Sequence, residues 1–384
     1  MGPHPKNRLT TGNGGKSKAH QIKTFIKGHI IDGRYAEGAP IPSERELADL
    51  YSVSRQTIRA AISDLVHEDV LTTHQGRGTF VRGMAADGGP AGGPKTREVG
   101  VLIPSVEPGY YANLIQDIAH FLSEQSYHMI LANYSALPET EEQQMAAMVD
   151  KGAAGLIVFP SYNSFTNQYY HNLRVKNVPF VLLDSPVQGV DADLVHIDNA
   201  DSAYRGTKAL ITAGCRRIAF LCGYLTAWTS RERLLGCQKA LWEHNLQLGH
   251  NMVFEGPFNK SFGHGTAAKL FRAQPPADGL VIANHEITQG VIKAVHEHEL
   301  RIPEDLKICT FEQAGSPLHD VFPLVVVSQP TESMARAAVQ ALLKRIADHG
   351  KRESKSKSRE ICLPAHISIP AWAETAARGV GQKV

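Results

Sequence analysis

Cysteine is scarce in this chain of 384 residues: there are five thiols, an odd number, and none in a CxxC spacing. That argues against a disulfide framework and a zinc ribbon, and it points to a reducing compartment. No apolar run is long enough to span a membrane, and the opening MGPHPKNRLTTGNGG lacks an apolar signal core, so a cytoplasmic, membrane-free protein is expected. Neither a GxSxG elbow nor an HExxH pair occurs. His296 and His298 flank Glu297 on an expected helix, where residues two apart point in different directions, which argues against a metal site. Two glycine-rich strings imitate phosphate loops without their context. In TTGNGGKS, Thr10 replaces the first glycine and no strand precedes it; Gly263-His264-Gly265 with Ala268 has no strand running into it and reads better as the start of a helix. No catalytic residues, metal or cofactor are expected.

Charge of one sign is also missing overall, since the formal net charge is only +2. It is unevenly spread. Residues 1–83 hold twelve Lys and Arg against eight Asp and Glu, a net +4, which leaves −2 on the remainder. This polarity fits a nucleic-acid module joined to a near-neutral domain. The length and a hydrophobic content of 42% allow two or three domains with sizeable cores.

The basic end carries the most specific pattern. Ser43 with Glu46 three residues on is a capping box that starts a helix at Glu44, and Ser52-Val53 breaks that helix before Ser54 caps the next. In the second helix Ile58, Ala61, Ile62, Leu65 and Val66 form one apolar stripe, leaving Arg55, Gln56 and Arg59 off it in the first turn and a half. LTTHQ and TFVRG on either side of Gly76-Arg77-Gly78 predict a short hairpin. A preceding helix is expected from His20 to about Asp32 on the period of Ile22, Phe25, Ile26 and Ile30. Helix, turn, helix and hairpin make a winged helix-turn-helix, whose second helix presents side chains to base edges and phosphates.

The strings IPSERELA, SVSRQTIRAAISDL and QGRGTFV resemble the GntR-family winged-helix domain over its whole length. The resemblance implies DNA contacts from Arg45 in the first helix of the motif, from Arg55, Gln56 and Arg59 in the recognition helix, and from Gln75, Gly76 and Arg77 at the wing tip. Ser43, Ser54 and Thr57, at the two helix starts, complete the expected DNA-facing set.

From Met84 to Glu98 the sequence is rich in Gly, Ala and Pro without periodicity, which predicts a flexible linker. Thereafter short apolar runs alternate with helical segments: VGVLIP, HMILANY, GLIVFP and VPFVLLD, then RIAFLCG, MVFEG, GLVIA and LKICTFE. Near-continuous apolar strands belong to parallel sheets covered on both faces, so the expected fold class is α/β with two doubly wound lobes after the winged helix. Ligands of such sheets bind beyond the carboxyl ends of the strands. Those ends hold Tyr110 and Tyr111, Ser161, Asp184, Asn284 and His285, and Glu312, while Trp228 to Arg233 opens a helix of the second lobe. Aromatic faces, an Arg fork and carboxylates suit a sugar ring and its hydroxyls.

Over Val99 to about Pro370 the chain resembles the ligand domain of the lactose/galactose repressor family, itself similar to periplasmic sugar-binding proteins. VHIDNADSAYRGTKALITAGCRRIAFL, SRERLLGCQKAL and VSQPTESMARAAVQALL are among the strings that carry this. The resemblance implies a sugar clamp at Arg233, polar contacts from Asn284 and Glu312, and a tyrosine lining the ring. The chain departs from it where His285 and Glu312 stand in place of Asp, and where Ser185 follows Asp184 in place of Arg. The Gly/Pro linker has no counterpart of the hinge helix of the lactose-type repressors. A GntR-type reader on this ligand domain resembles the layout of the bacterial arabinose repressors, which makes L-arabinose the first effector to expect, with another monosaccharide as the alternative.

The expected organisation is a disordered tail (1–19), a winged helix-turn-helix (20–83), a linker (84–98), an effector-binding and dimerisation domain (99–375) and a tail (376–384). The expected partners are pseudo-palindromic operator DNA, a small sugar and a second copy of the chain. An activator shares all these residues with a repressor. A fused pyridoxal-phosphate enzyme would need a longer chain and a Schiff-base lysine motif, which is not found.

Overall fold

The structure is a computed structural model and describes residues 18–31, 34–36, 38–68, 70–74, 78–81, 96–105, 109–134, 138–161, 168–312, 316–348 and 357–373. The wing-tip residues Gln75, Gly76 and Arg77, the terminal tails up to residue 17 and from residue 376, and most of the expected linker lie outside the described residues. Two units divide between Gly92 and Gly93, with His171–Asn177 grouped with the first.

The first unit is built as its caps dictate. Helix α1 (Lys18–Ile31) starts two residues before the expected domain boundary, and α2 (Glu44–Tyr51) and α3 (Arg55–His67) follow. Strands β1 (Leu71–His74) and β2 (Gly78–Val81) pair antiparallel, Leu71 opposite Val81 and His74 opposite Gly78. Ile58, Ala61, Ile62 and Leu65 are buried as the stripe requires, against Ile22 and Ile26 of α1 and Leu47 and Tyr51 of α2; Val66 is only partly buried. Glu68 at the end of α3 receives Lys23 and Lys27 of α1, Lys27 Nζ at 2.7 Å, which fastens α1 to α3.

The second unit alternates strand and helix. In chain order this part of the chain runs β3 (Glu98–Ile103), α4 (Tyr110–Glu124), β4 (His128–Asn133), α5 (Pro138–Asp150), β5 (Gly155–Val158), α6 (Gln168–Val175, of which His171 onward is grouped with the first unit), β6 (Phe180–Leu183) and β7 (Asp193–Ile197). Then come α7 (Asn199–Thr212), β8 (Ile218–Cys222), α8 (Trp228–Glu243), β9 (Val253–Glu255), α9 (Lys260–Arg272), β10 (Gly279–Ile282), α10 (His285–Glu297), β11 (Lys307–Glu312), α11 (Pro317–Val321), β12 (Val325–Ser328), α12 (Thr331–Asp348), β13 (Glu360–Leu363) and β14 (His366–Ser368). The strands form two six-stranded sheets, ordered β13-β7-β6-β5-β3-β4 and β14-β12-β11-β10-β8-β9. All pairings are parallel except β14 on β12.

Each sheet is one lobe, and the chain passes between lobes after β7, after β12 and between β13 and β14. The segment ICLPAHISIP therefore supplies two strands in different sheets. Strand β7, absent from the sequence-derived run of strands, is the element from which the first crossing leaves. Several helices begin earlier than their apolar period suggests, because Asp198, Asn259 and Asn284 cap α7, α9 and α10 through the amides of Asp201, Phe262 and Ile287. The first turns they open are polar and invisible to periodicity. Gly263 and Gly290 bring α9 and α10 together: a Cβ at Gly263 would lie 2.1 Å from the Ile287 carbonyl oxygen, and one at Gly290 2.0 Å from that of Lys260. The glycine of the GHG string thus serves helix packing inside the first turn of α9.

Asp193, with a fully buried side chain, opens β7 at the end of the first lobe away from the crossings. Its carboxylate accepts from Arg345 Nε at 2.9 Å and Nη2 at 2.7 Å and from the Arg359 amide at 2.8 Å. Burial raises its pKa, but the Arg345 fork and that amide outweigh it and hold the carboxyl below its ordinary value. Asp193→Asn should cost about 2 kcal/mol, less than a fully buried pair because Arg345 keeps some solvent contact. Since the folded-state pKa is depressed, the wild-type advantage is full above the ordinary Asp range and is lost as pH falls through and below it. Urea midpoints of both proteins at pH 7 and near pH 3 check this: the gap must shrink in acid.

Candidate functional site

In the first unit, Ser43 closes its capping box, the Ser43 amide donating to Glu46 Oε2 at 2.7 Å and the Glu46 amide to Ser43 Oγ at 3.3 Å. Ser52 takes a left-handed φ of 53°, which turns the chain, and Ser54 Oγ accepts the Thr57 amide at 3.1 Å with the two hydroxyls 2.8 Å apart. The cap places Arg55, Gln56 and Arg59 on the exposed side of α3, with Arg45 exposed on α2. One partner was not visible in the sequence. Arg59 donates Nε to Glu44 Oε1 at 3.1 Å and Nη2 to Oε2 at 2.9 Å, a two-pronged pair across the turn. This hydrogen bonding lowers the Glu44 pKa and raises that of Arg59. A planar fork held by a carboxylate on the neighbouring helix is a preset donor with its remaining N–H groups outward.

In the second unit a cleft of about 690 Å³ opens between the lobes. Tyr110, Tyr111, Asp184, Arg233, Asn284, His285 and Glu312 all line it. Two sequence candidates do not. Ser161 is buried behind the first lobe's strand ends, its amide donating to Glu141 Oε1 at 3.2 Å, and the same carboxylate holds the Tyr170 hydroxyl. Trp228, the first residue of α8, turns away to set its ring edge-on to His196 at 5.2 Å, leaving Ala227 and Thr229 at the cleft wall. The cleft also gathers Tyr134, Phe159, Phe258, Lys260, Phe311 and Gln329, which sequence reasoning missed. Placing the start of α9 at Gly263 hid Phe258 and Lys260; the cap signal at Asn259 was the available clue.

Arg233 is the anchor of this site. Its Nε donates to Asn199 Oδ1 at 2.8 Å, its Nη1 to the Ala283 carbonyl, and its guanidinium lies 3.9 Å over the Phe311 ring. Burial pulls its pKa below the ordinary value, opposed by the charge of Asp184. Asp184 follows β6 in a left-handed conformation, φ 74°, a cost of about 1 kcal/mol or more for a residue with a Cβ, and its amide donates to Val195 O at 2.8 Å. Burial raises the Asp184 pKa, with Arg233, His196 and the Tyr110 hydroxyl acting the other way. Tyr110 and Tyr111 stack at a tilt, ring centres 5.2 Å apart, and both meet Phe159 edge-on.

The opposite wall is a chain of polar contacts. Asn284 is committed to its own helix, accepting the Ile287 amide at 3.1 Å and donating to Glu286 at 2.6 Å. His285 Nδ1 lies 2.6 Å from Glu312 Oε2 and its Nε2 2.6 Å from the Gln289 amide nitrogen. The bond to Glu312 raises the His285 pKa. Two carboxylate oxygens of residues that line this cleft, Asp184 Oδ1 and Glu312 Oε1, are buried and accept no hydrogen bond from the described residues. Among the described residues no group of three or more His, Cys, Asp or Glu is placed to hold a metal ion, and no helix is long and apolar enough to cross a membrane. His264 instead pairs with Glu297 at 2.6 Å between α9 and α10.

Known proteins share both halves. A profile for bacterial regulatory proteins of the gntR family matches residues 18–81, and one for a periplasmic binding protein-like domain matches residues 207–366. The chain is 24% identical over 361 residues to the arabinose metabolism transcriptional repressor of Halalkalibacterium halodurans, covering 92% of this chain and 96% of that one. It is 28% identical over 253 residues to the HTH-type transcriptional repressor PurR of Haemophilus influenzae, covering 65% of this chain and 74% of that one. Among solved structures, the transcription regulator CcpA of Lactococcus lactis matches with a TM-score of 0.64 at 27% identity, covering 72% of this chain and 98% of that one. The class is thereby defined as a transcriptional regulator, not an enzyme, with a winged helix joined to a two-lobed ligand domain. More particularly, the chain joins a gntR-family DNA-binding domain to a periplasmic binding protein-like domain.

With α3 as the reading helix, Arg55→Ala should weaken binding to operator DNA about tenfold, roughly 1.4 kcal/mol, and flatten the salt dependence by about one charge. Fluorescence anisotropy at two salt concentrations measures both; affinity within twofold of wild type would remove Arg55 from the interface.

Proposed function

We propose that the protein is a repressor, acting as a homodimer in the cytoplasm, whose hold on a pseudo-palindromic operator is released when a small sugar enters the cleft. The observation that carries this is the make-up of the cleft. Asp184 and Glu312 offer hydrogen-bond acceptors, Arg233 a fixed fork of donors, and Tyr110, Tyr111 and Phe258 aromatic faces within one cavity of about 690 Å³. Sugar hydroxyls both donate and accept, and the ring's apolar face stacks on aromatics, so each group has a use. L-arabinose is the first sugar to try, on similarity to a repressor named for arabinose metabolism.

In this reading Arg45, Arg55, Gln56, Arg59 and the wing tip supply the DNA contacts, with Ser43, Ser54 and Thr57 at the helix starts. Two copies on a two-fold axis read two half-sites. Closing the lobes about the three crossings is the switch, and a ligand that favours the closed form by about 1 to 3 kcal/mol changes operator occupancy by that coupling.

The test uses the full chain and DNA from the region flanking its own gene. A monosaccharide that raises the operator Kd at least tenfold is expected, and no response from any sugar would overturn the reading. Arg233→Lys keeps the charge but loses the fork. It should bind operator within twofold of wild type yet need at least tenfold more sugar for half release; an unchanged sugar response would place Arg233 outside the effector site.

A further inference from the structure

We propose that His196 is a positioning residue for the effector site, a proton-operated clamp at the crossings between the lobes that steadies Arg233 when its ring is charged and so ties the response to effector to pH. The proposal rests on the sugar-effector reading and adds a point of regulation behind the cleft.

Three observations support it. First, both ring nitrogens of His196 face acceptors: Nδ1 lies 2.8 Å from the Ile197 carbonyl oxygen and Nε2 2.8 Å from Glu360 Oε1. A carbonyl only accepts, and so does an ionised carboxylate, whereas a neutral imidazole has a single N–H. Only the imidazolium makes both contacts; a neutral ring keeps one and turns a lone pair on the other acceptor. Second, the ring stands at the crossings. His196 is the penultimate residue of β7, from which the chain first leaves its lobe, and Glu360 opens β13, which pairs with β7 and leads to the last crossing. The clamp therefore ties together two of the three connections. Third, the contacts run on to the anchor of the cleft. The Ile197 carbonyl that meets His196 also accepts from Asn199 Nδ2 at 3.3 Å, and Asn199 Oδ1 holds Arg233 Nε at 2.8 Å. Trp228, edge-on to the same ring, opens the helix that carries Arg233.

The titratable groups around the ring are Glu360 and Cys362 on β13, the latter opposite His196 in the ladder, and Asp184 past the end of β6; Asp198 is turned away to cap α7. Burial pushes the Asp184 carboxyl up and Arg233 and His196 pull it down, so a charge on His196 also helps keep Asp184 ionised opposite Arg233. The His196 side chain is 6% exposed and that of Glu360 68%, so on loss of the proton Glu360 swings into water and the ring stays behind. Histidine is the side chain that changes charge near neutrality, which puts the clamp within reach of ordinary changes of pH.

Isothermal titration of the full chain with L-arabinose, D-galactose, D-glucose and D-ribose at about pH 6 and about pH 8.5 tests this in wild type, His196→Gln and Glu360→Gln. For the sugar that binds, the wild-type Kd should rise about fivefold or more from the lower to the higher pH. His285 titrates in the cleft of all three proteins, so the comparison isolates the clamp: in each variant the ratio of the two Kd values should fall to about a third of the wild-type ratio. A merely structural defect weakens binding at both pH values alike. Glu360 is exposed and the amide of Gln can turn to meet either form of the ring, so Glu360→Gln keeps the test open if His196→Gln does not fold. Melting temperatures of wild type and Glu360→Gln at the same two pH values give a readout without sugar. The wild-type advantage should be present at the lower pH, where the ring carries both protons, and lost at the higher. A wild-type Kd that does not rise, an unchanged ratio in both variants, or a melting gap of equal size at both pH values overturns the inference and leaves the sugar reading standing. Silence from every sugar overturns the sugar reading, and the melting temperatures then decide the clamp alone.

Discussion

Burying a guanidinium between two lobes is the constraint around which the ligand domain is arranged. An ion as large as Arg233, taken from water, loses several kcal/mol that only a complete set of partners restores. The chain supplies them from separate places: Asn199 from the helix after the first crossing, the Ala283 carbonyl from the end of β10, the Phe311 face from β11, and the charge of Asp184 from the other lobe. The first three belong to the second lobe and fix the guanidinium there; Asp184 reaches it from the first, with Tyr110 and Tyr111 beside it. The carboxylate that faces Arg233 across the lobes is held in a left-handed backbone conformation.

The same arrangement recurs on a smaller scale in the winged helix. Glu44 fixes Arg59 by two directed hydrogen bonds from a neighbouring helix, where Asn199 accepts one from Arg233. The contexts differ in consequence. Arg59 is solvent-exposed, so its pair with Glu44 adds little stability and acts mainly on geometry. Arg233 is enclosed, and its partners are needed for the domain to hold a charge there at all. Ser54 and Thr57 fix the first turn, from which Arg55 and Gln56 project, by capping.

The alternation of apolar strands and helices, the capping box at Ser43 and the stripe from Ile58 to Leu65 are local patterns, and they were legible in the sequence. So were the strand ends carrying Asp184, Asn284 and Glu312, because position in a parallel sheet follows from order alone. What stayed hidden depends on facing. Trp228 and Arg233 lie on one helix, five residues and therefore about 140° of rotation apart, so only one of them can face the cleft. Ser161 lies past the end of β5 as expected, but its amide is claimed by Glu141, a contact between residues twenty apart. His285 and Glu312 each stood out as departures from a family pattern; that they answer one another, over 27 residues of chain, is a fact of tertiary structure.

The division of groups between lobes bears directly on switching. A ligand shifts a two-state equilibrium only by the difference between its affinities for the two states, and one bound wholly to either lobe has the same contacts whether the cleft is open or closed. A small ligand seated between Asp184 and Glu312 differs, since one anchor is lost as the lobes part. Each lost hydrogen bond to a charged acceptor is worth about 1.5 to 3 kcal/mol, the size of a typical coupling between sites. Two anchors on opposite lobes are therefore enough to drive closure, whereas adding further contacts within one lobe would tighten binding without strengthening the signal.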